Sequence, residues 1–600
     1  MARAIIMSPG VQFQETDVSQ YIRELTNVKL ALVGVASKGE VDQNILITSL
    51  QQGIDKLGVP TEDYPALLVM REYFNAGGGR LNFVRVANGD EIATIDVPTI
   101  DDAEDDIVFT APTSGSYYND TTLKISYNTQ EAQTVVSEAH TFAIGNGNYP
   151  KTLPGVPIVP GTVVIKFGTT KIATDNSAGV LAFETTLAEY AKYSGTVDYE
   201  TGVVTIVTTG LVSAVSPTVN ISYNAWTSFN IEVLYQPKDK NGDVVDTYAL
   251  QSYKGLTIDT VMAKTTGSKH FIIEEEPAAF PVAGQYPMAG GDDGKDDITD
   301  VDFIGNTIGN VPHGMQVFAY PDQIDVNLLM VPGASASLAV RQAIIQLCEV
   351  ARFDTLGVID PPANLDVQTV ADWANGNGTY NTWNTINSNY AALYYPWFTS
   401  FNNVNGDSNE LTPPSAAAAA AFARSQPFEA PAGPNRGKLL NVTNVEYELN
   451  PNDRAFLGEN RINSIADLQG TGIQVAAQQT ATLTSSSLDR IGARMMLMRI
   501  EKAVTTALLT LLFEPNTHRT WSRAEMIVQP YLDALVRKQQ IYQGLFICND
   551  DTNTEEIVNN NQMACQCRLQ LLKYAEIIVV NFVLYAYGAQ ITENVVGKAA

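Results

Sequence analysis

The spacing of apolar positions changes several times along the chain, and each change predicts a different element. Val28 to Ala36 predicts a strand, and Ile45-Leu46-Ile47 predicts another. Ser49-Leu50-Gln51-Gln52 has capping-box spacing and predicts a short helix that stops at Gly58. After Pro65, Leu67, Met70 and Phe74 recur at three- and four-residue intervals, so a second helix runs toward Gly77-Gly78-Gly79. Leu81 to Val86 then reads as a strand. This is α/β material.

From about Val97 to Gly290 the period shortens. Runs rich in Val, Ile, Thr and Tyr alternate with Gly, Asn, Asp and Pro, as in Gly161 to Gly168, Gly195 to Gly202 and Val219 to Asn224. Turn signals at that spacing predict β-sandwich or barrel modules, and Asn241-Gly242 is a hairpin signal. Such a change of class predicts inserted domains.

The α/β rhythm returns after Gly290-Gly291-Asp292-Asp293-Gly294. Strand Val326 to Val331, helix Leu338 to Ala351 and strand Thr355 to Asp360 predict a parallel β-α-β crossover. Tyr390 to Tyr395 and Ile473 to Ala477 add strands, and Ser415 to Arg424 predicts an Ala-rich helix lying close on the sheet. Ser486 with Asp489, then the stripe Leu488, Ile491, Met495 and Met498, predicts a long helix closed by Pro515. Ser522 with Glu525 predicts the start of the next helix, with Trp521 and Met526 as its staple. Cys565, Cys567, Leu569 and Leu571 alternate with polar residues and predict a half-buried strand.

The two ends read differently. Pro9 and Gly10 break helix while Val11 to Gln14 alternates, so the first twenty residues are expected to be extended, with uncovered apolar side chains. Ile577 to Ala586 is apolar at both phases, which predicts a strand covered on both faces, in its own sheet or a neighbour's.

Composition narrows the function. The 600 residues carry 37 Lys and Arg against 65 Asp and Glu, a net charge of −28. An acid excess of that size argues against a nucleic-acid or anionic-membrane surface, since both need clustered cations. With 45% hydrophobic and 17% charged residues, the chain is a folded protein rather than a disordered tail. Cys348, Cys548, Cys565 and Cys567 read as buried thiols of a protein made in a reducing cytoplasm. The N-terminus lacks a signal-peptide pattern, and no apolar run reaches the ~18 residues of a membrane helix. Export and membrane insertion are not expected.

Enzyme constellations are near misses. Gly433 to Lys438 lacks the first glycine of a phosphate loop, which is Ala432, and its Ser/Thr, which is Leu439. Pro332, Pro361, Pro362 and Pro396 follow strand ends, where a phosphate would need backbone N–H donors. Gly333 to Ser337 lacks the closing glycine of a nucleophile elbow, and its serines read as helix caps. His140, His270, His313 and His518 show no metal-type spacing, and Cys565-x-Cys567 reads as strand rather than half a metal site. Asp239 to Asp243 reads as a turn, and Asp292, Asp293, Asp296 and Asp297 as a solvated acidic loop. No catalytic residue, metal or cofactor is expected. Residues alone thus indicate an assembly protein with incomplete ends; a nucleotide-dependent enzyme on the α/β region is the rival of a different class.

Specific words of the sequence go further. Ser8-Pro9-Gly10-Val11 with Glu15, Val33 to Ala36 with Lys38-Gly39, and Tyr73 to Gly78 leading into Val84-Arg85-Val86 resemble contractile-tail sheath proteins. So do Ala111 to Asn119, Gly290 to Gly294, Asp360-Pro361-Pro362, Tyr394-Tyr395-Pro396-Trp397, Pro413-Pro414-Ser415 and Ala430 to Gly437. Ile462-Asn463, Gly470-x-Gly472 and Phe513 to Asn516 with Trp521 complete the order. The Ala run from Ala416 to Ala421, and Gln478-Gln479-Thr480 in place of an Arg-Thr pair, depart from the family pattern.

The resemblance implies an α/β plus β fold. A sheath core would be built from N- and C-terminal segments, with inserted β-sandwich or barrel modules and extended terminal arms. The expected divisions are an arm at 1–20, core at 21–96, inserts at 97–290 (nested insert about 140–225) and core at 291–480. A helical and strand region at 481–574 and a strand and arm at 575–600 follow. The implied function is a bacteriophage tail sheath subunit that contracts around the tail tube; injection-device sheaths and baseplate proteins are the alternatives, and the long inserts favour a phage. Implied partners are the chain itself in stacked hexameric rings, the tube protein, and baseplate and terminator proteins, in a virion assembled in the host cytoplasm. Ser8, Pro9, Val11, Phe13 and Glu15 would form the N-terminal inter-subunit arm. Ile577, Val579, Val580, Phe582, Leu584 and Tyr585 would form the C-terminal inter-subunit strand, completed by β-augmentation.

Overall fold

The computed structural model describes residues 28–100, 106–129, 132–141, 147–154, 157–184, 192–209, 218–238, 243–308, 311–404, 409–468, 470–576, 578–580 and 582. Its largest sheet contains Leu30–Gly34 (β1), Asn44–Ile47 (β2), Leu81–Arg85 (β3), Leu328–Met330 (β4) and Leu356–Ile359 (β5). Ala391–Tyr395 (β6), Ile462–Asp467 (β7) and Ile473–Val475 (β8) complete it, in the order β2-β3-β1-β4-β5-β6-β7-β8. Neighbours from β3 to β7 run parallel, while β2 and β8 are antiparallel edges. Every residue of β1, β3, β4, β5 and β6 is buried. Strands covered on both faces need apolar side chains at both phases, so β1, β4, β5 and β6 appear in the sequence as apolar runs, whereas β3 also buries Asn82 and Arg85.

The helices cover this sheet. Leu50–Leu57 (α1) starts on Ser49, whose hydroxyl accepts from Gln52 N; the Gln52 side chain reaches back to Thr48 N at 2.9 Å. Pro65–Asn75 (α2) and Pro414–Ala423 (α4) share one apolar cluster with the sheet. Ala416 to Ala421 are all buried, so the helix of small side chains lies close to its neighbours, as expected. On the route from β4 to β5, Leu338–Gln346 (α3) continues into a π-helical turn, Leu347–Arg352.

Two predicted helix starts are corrected. Ile491–Leu508 (α5) begins after, not at, Ser486, whose hydroxyl accepts from Leu488 N in a turn. Residues 489–491 instead bond to the 478–480 segment, and that tertiary pairing holds them extended. His518–Arg537 (α6) begins on Thr517, so Ser522 lies inside it. Trp521 is buried but Met526 is exposed, so the two form no staple. Back-bonding accounts for the earlier start: Thr520 Oγ1 donates to Pro515 O and Trp521 Nε1 to Asn516 Oδ1, each at 2.6 Å. A two-stranded antiparallel sheet, Gln543–Ile547 (β9) with Gln566–Gln570 (β10), packs on α6.

Between β3 and β4 the chain is mostly strand. Residues of a five-stranded and a three-stranded sheet, from Leu153 to Ala225, share one apolar cluster. A second cluster joins strands Thr94–Val97, Ile107–Thr110, Thr121–Tyr127, Phe229–Tyr235 and Tyr248–Leu256 with helix Ile258–Thr265. The hairpin signal Asn241-Gly242 and most of the Asp239 to Asp243 turn lie outside the described residues.

Candidate assembly surface

An open α/β sheet binds ligands where its winding reverses, at the carboxyl ends of the strands. Here that point lies between β1 and β4, and its polar groups face one another. Arg85, at the end of β3, donates through Nη1 to Gly39 O and Ser114 O and through Nη2 to Asp293 O. The Asp293 carboxylate accepts from the Tyr64 and Ser116 hydroxyls. Asp293 is buried, so the reading of this segment as a solvated acidic loop is corrected at that residue. After β5, Asp360 accepts from Ser415 N and Ser415 Oγ, both at 2.7 Å, and its own N–H donates to Ser335 Oγ. Ser335 thus serves Asp360, and Ser337 donates to Asp300, so neither serine side chain caps α3.

Complete burial pushes the Asp360 carboxyl up to about 7, against the lowering effect of the bonds from Ser415 and Gly333. Its folded value lies above its unfolded one, so its stabilising contribution is complete below about 3.8 and is lost as pH rises through about 7. Between pH 5 and 8 the wild type should therefore lose stability relative to Asp360→Asn. Parallel melting-temperature profiles for the two proteins would exclude this assignment.

The remaining near misses resolve simply. Gly433–Arg436 is one short helical turn, with Arg436 paired to Glu429 at 2.6 Å. His313 pairs with Asp42 and His518 with Asp550. Among the described residues no group of three or more His, Cys, Asp or Glu is placed to hold a metal, and no helix is long and apolar enough to cross a membrane. Cys348 and Cys548 are buried as expected. Cys565 is only half-buried and Cys567 is exposed, because β10 lies at the molecular surface.

The ends of the described chain are tied down before they leave the core. Lys29 pairs with Asp325, which also holds Lys502 of α5 at 2.5 Å; Lys502 in turn holds Asp354 at 2.7 Å. At the other end, Tyr574 donates to Phe428 O, and Glu576 makes a two-pronged contact with Arg490 at 2.6 and 3.0 Å. Beyond Glu576 the apolar side chains face solvent: Ile578 is 82% exposed, Val579 78%, Val580 63% and Phe582 88%. The described part of this segment has no regular secondary structure. Ile577, Leu584 and Tyr585 lie outside the described residues, as do Ser8, Pro9, Val11, Phe13 and Glu15.

β9 and β10 pair only with each other among the described residues. Gln529 of α6 occupies the outer edge of β9, accepting from Phe546 N and donating to Gly544 O. The outer edge of β10 has no such cover among the described residues. Unpaired edge N–H and C=O groups are a template for another strand.

Residues 315–481 match the family model of the phage tail sheath protein central domain. Over 382 residues the chain is 25% identical to the tail sheath protein of Enterobacteria phage T4, covering 59% of this chain and 56% of that one. It is also 25% identical over 334 residues to the tail sheath protein of Vibrio phage KVP40, covering 52% and 48%. Residues 315–481 thus match a phage tail sheath central domain, within a chain that is similar to contractile phage tail sheath proteins. The chain spans about half the length of these two curated relatives. The sheath tail protein of Desulfitobacterium hafniense shares the fold of this chain, with a TM-score of 0.52 at 12% identity over 90% of this chain and 94% of that one.

Proposed function

We propose that this protein is the structural subunit of a contractile bacteriophage tail sheath, polymerising around a tail tube. The observation that carries the proposal is the apolar segment beyond Glu576, exposed in the single subunit, together with a β10 edge that is uncovered among the described residues. Apolar side chains presented together on an otherwise acidic surface mark a place for a partner. A strand from a neighbouring copy, added to β10, would satisfy backbone groups and bury side chains in one step. Residues 1–20 and 575–600 act as the arms of this mesh. The polymer's further partners are the tube, baseplate and terminator proteins, and the assembly is part of the virion.

Contraction in this reading is rigid-body movement of compact units between two packings, with the arms as tethers and no nucleotide consumed. The sheath core is formed by 21–96 with 291–480, followed by the helical and strand region at 481–574. Residues 97–290 form inserted modules on the outside, with a nested module at about 140–225. Electron microscopy of the purified protein tests the function directly: wide hollow polymers are expected, and a strictly monomeric protein under polymerising conditions refutes it.

The insert placement has its own test. Asn128 N donates to Ser228 O at 2.9 Å and Tyr127 pairs with Phe229, so the chain enters and leaves the nested module side by side. Replacing residues 129–227 with a short turn should leave polymers of normal inner diameter and reduced outer diameter. Loss of assembly by this variant, in folded form, would place the module inside the mesh.

A further inference from the structure

We propose that Cys548 and Cys565 are a dithiol built to close as a cross-strand disulfide when the protein meets a disulfide oxidant such as oxidised glutathione. The two thiols are free, and their sulfurs lie 2.9 Å apart. Their placement follows from register. Ile547 pairs with Gln566, so one step outward Cys548 stands opposite Cys565 at the end of the β9–β10 ladder. Directly opposed residues of an antiparallel pair have Cα atoms about 4.5–5.5 Å apart, within the span a disulfide bridges.

The loop between them is already set. Asn553 donates to Ala564 O at 3.0 Å and to Asn549 O at 3.1 Å, and accepts from Ala564 N at 2.7 Å. Residues 549–564 are thereby clamped at their base, beside both sulfurs. Access is graded: Cys548 is buried, whereas Cys565 is half-buried and lines an open groove of about 480 Å³ with Leu512, Phe513 and Met563. An oxidant therefore reaches Cys565 first.

The chemistry balances as two exchanges. The Cys565 thiolate attacks one sulfur of oxidised glutathione, forming a mixed disulfide and releasing one glutathione thiolate. Cys548, after giving up its proton to solvent, attacks the Cys565 sulfur, forming the protein disulfide and releasing the second. Two protein thiols are oxidised, one glutathione disulfide is reduced, and the two protons released are taken up by the departing thiolates. Burial and the adjacent Cys548 push the Cys565 thiol up to about 12. The pair is therefore slow at neutral pH, and the first step accelerates roughly tenfold per pH unit while the thiolate is scarce. Closure staples the loop at 549–564 and fixes the end of the β9–β10 hairpin. Timing of closure, in a reducing cytoplasm or after release from it, rests on the sheath reading; the bond itself does not.

The test uses the full chain and its Cys567→Ser variant, treated with oxidised glutathione at pH 7 to 9. Residues 539 to 568 contain no Lys or Arg other than Arg568, so trypsin leaves all three C-terminal cysteines on one peptide. Cleavage after Glu555 or Glu556 separates Cys548 from Cys565, and mass spectrometry then reads the cross-link. The expected result is a Cys548–Cys565 cross-linked pair in both proteins and a melting temperature for the C-terminal region raised by about 5 °C. The Cys565→Ser variant should show neither change. Cys548 remaining fully alkylatable while Cys567 takes up glutathione would overturn the proposal, and a cross-link without thermal gain would overturn the staple.

Discussion

Deleting the chain from Ile577 onward is expected to abolish ordered polymers while leaving the melting temperature of the subunit essentially unchanged. Ile578, Val579, Val580 and Phe582 are exposed in the single subunit, so their removal takes nothing from its core. The last anchoring contact, Glu576 with Arg490, is retained. In the polymer each of these side chains, once covered, is worth about 1.5–3 kcal/mol, a gross contribution on the order of 6–12 kcal/mol per contact before the segment's ordering entropy. Deleting Ala2 to Gln20 should have the same effect through the other arm. Sedimentation and electron microscopy read the polymer, and thermal melting reads the fold. Normal sheaths from both truncations would end the arm model.

The second large effect is on the subunit itself. Arg71 of α2 is fully buried, and its guanidinium donates through Nη1 to Glu410 at 2.8 Å, through Nε to Glu72 at 3.1 Å, and through Nη2 to Ser400 Oγ. Glu410 also accepts from the buried Asn402 amide at 2.8 and 2.9 Å. Burial raises the Glu72 carboxyl, and Arg71 opposes that rise. Arg71→Met leaves two buried carboxylates without their cation, at an expected cost of about 3–5 kcal/mol. Adding Glu410→Gln should recover part of the loss, since a neutral amide needs no counter-charge. Denaturant melts of the single and double variants measure both values; an Arg71→Met loss under ~1 kcal/mol would show that the network is solvated.

Much of the α/β architecture was legible because buried parallel strands leave a local mark. β1, β5 and β6 stand in the sequence as apolar runs, and the Ala-rich α4 announces close packing by having nothing larger than alanine from Ala416 to Ala421. The apolar run at 577–586 carries the same mark, yet its described residues form no strand and are exposed, so the predicted strand covered on both faces is not formed within the subunit there. Local capping signals were less reliable. Ser486 and Ser522 have the right spacing, yet the helices begin at Ile491 and His518, because bonds from the 478–480 segment and from Pro515 and Asn516 act first. The alternation around Cys565 and Cys567 revealed a strand but not its exposure, since alternation says nothing of what lies above a face.

The sequence by itself therefore determined the kinds of element, the apolar character of the C-terminal segment and, through ordered motifs from Ser8 to Trp521, the resemblance to tail sheath proteins. Tertiary structure alone decided that Leu30 pairs with Leu328 across the whole inserted stretch, and that Asp293 and Asp360 are buried. It alone set Cys548 against Cys565. The physical reason is range. Periodicity and capping are properties of neighbours along the chain, whereas burial, desolvation and register are properties of groups that only folding brings together.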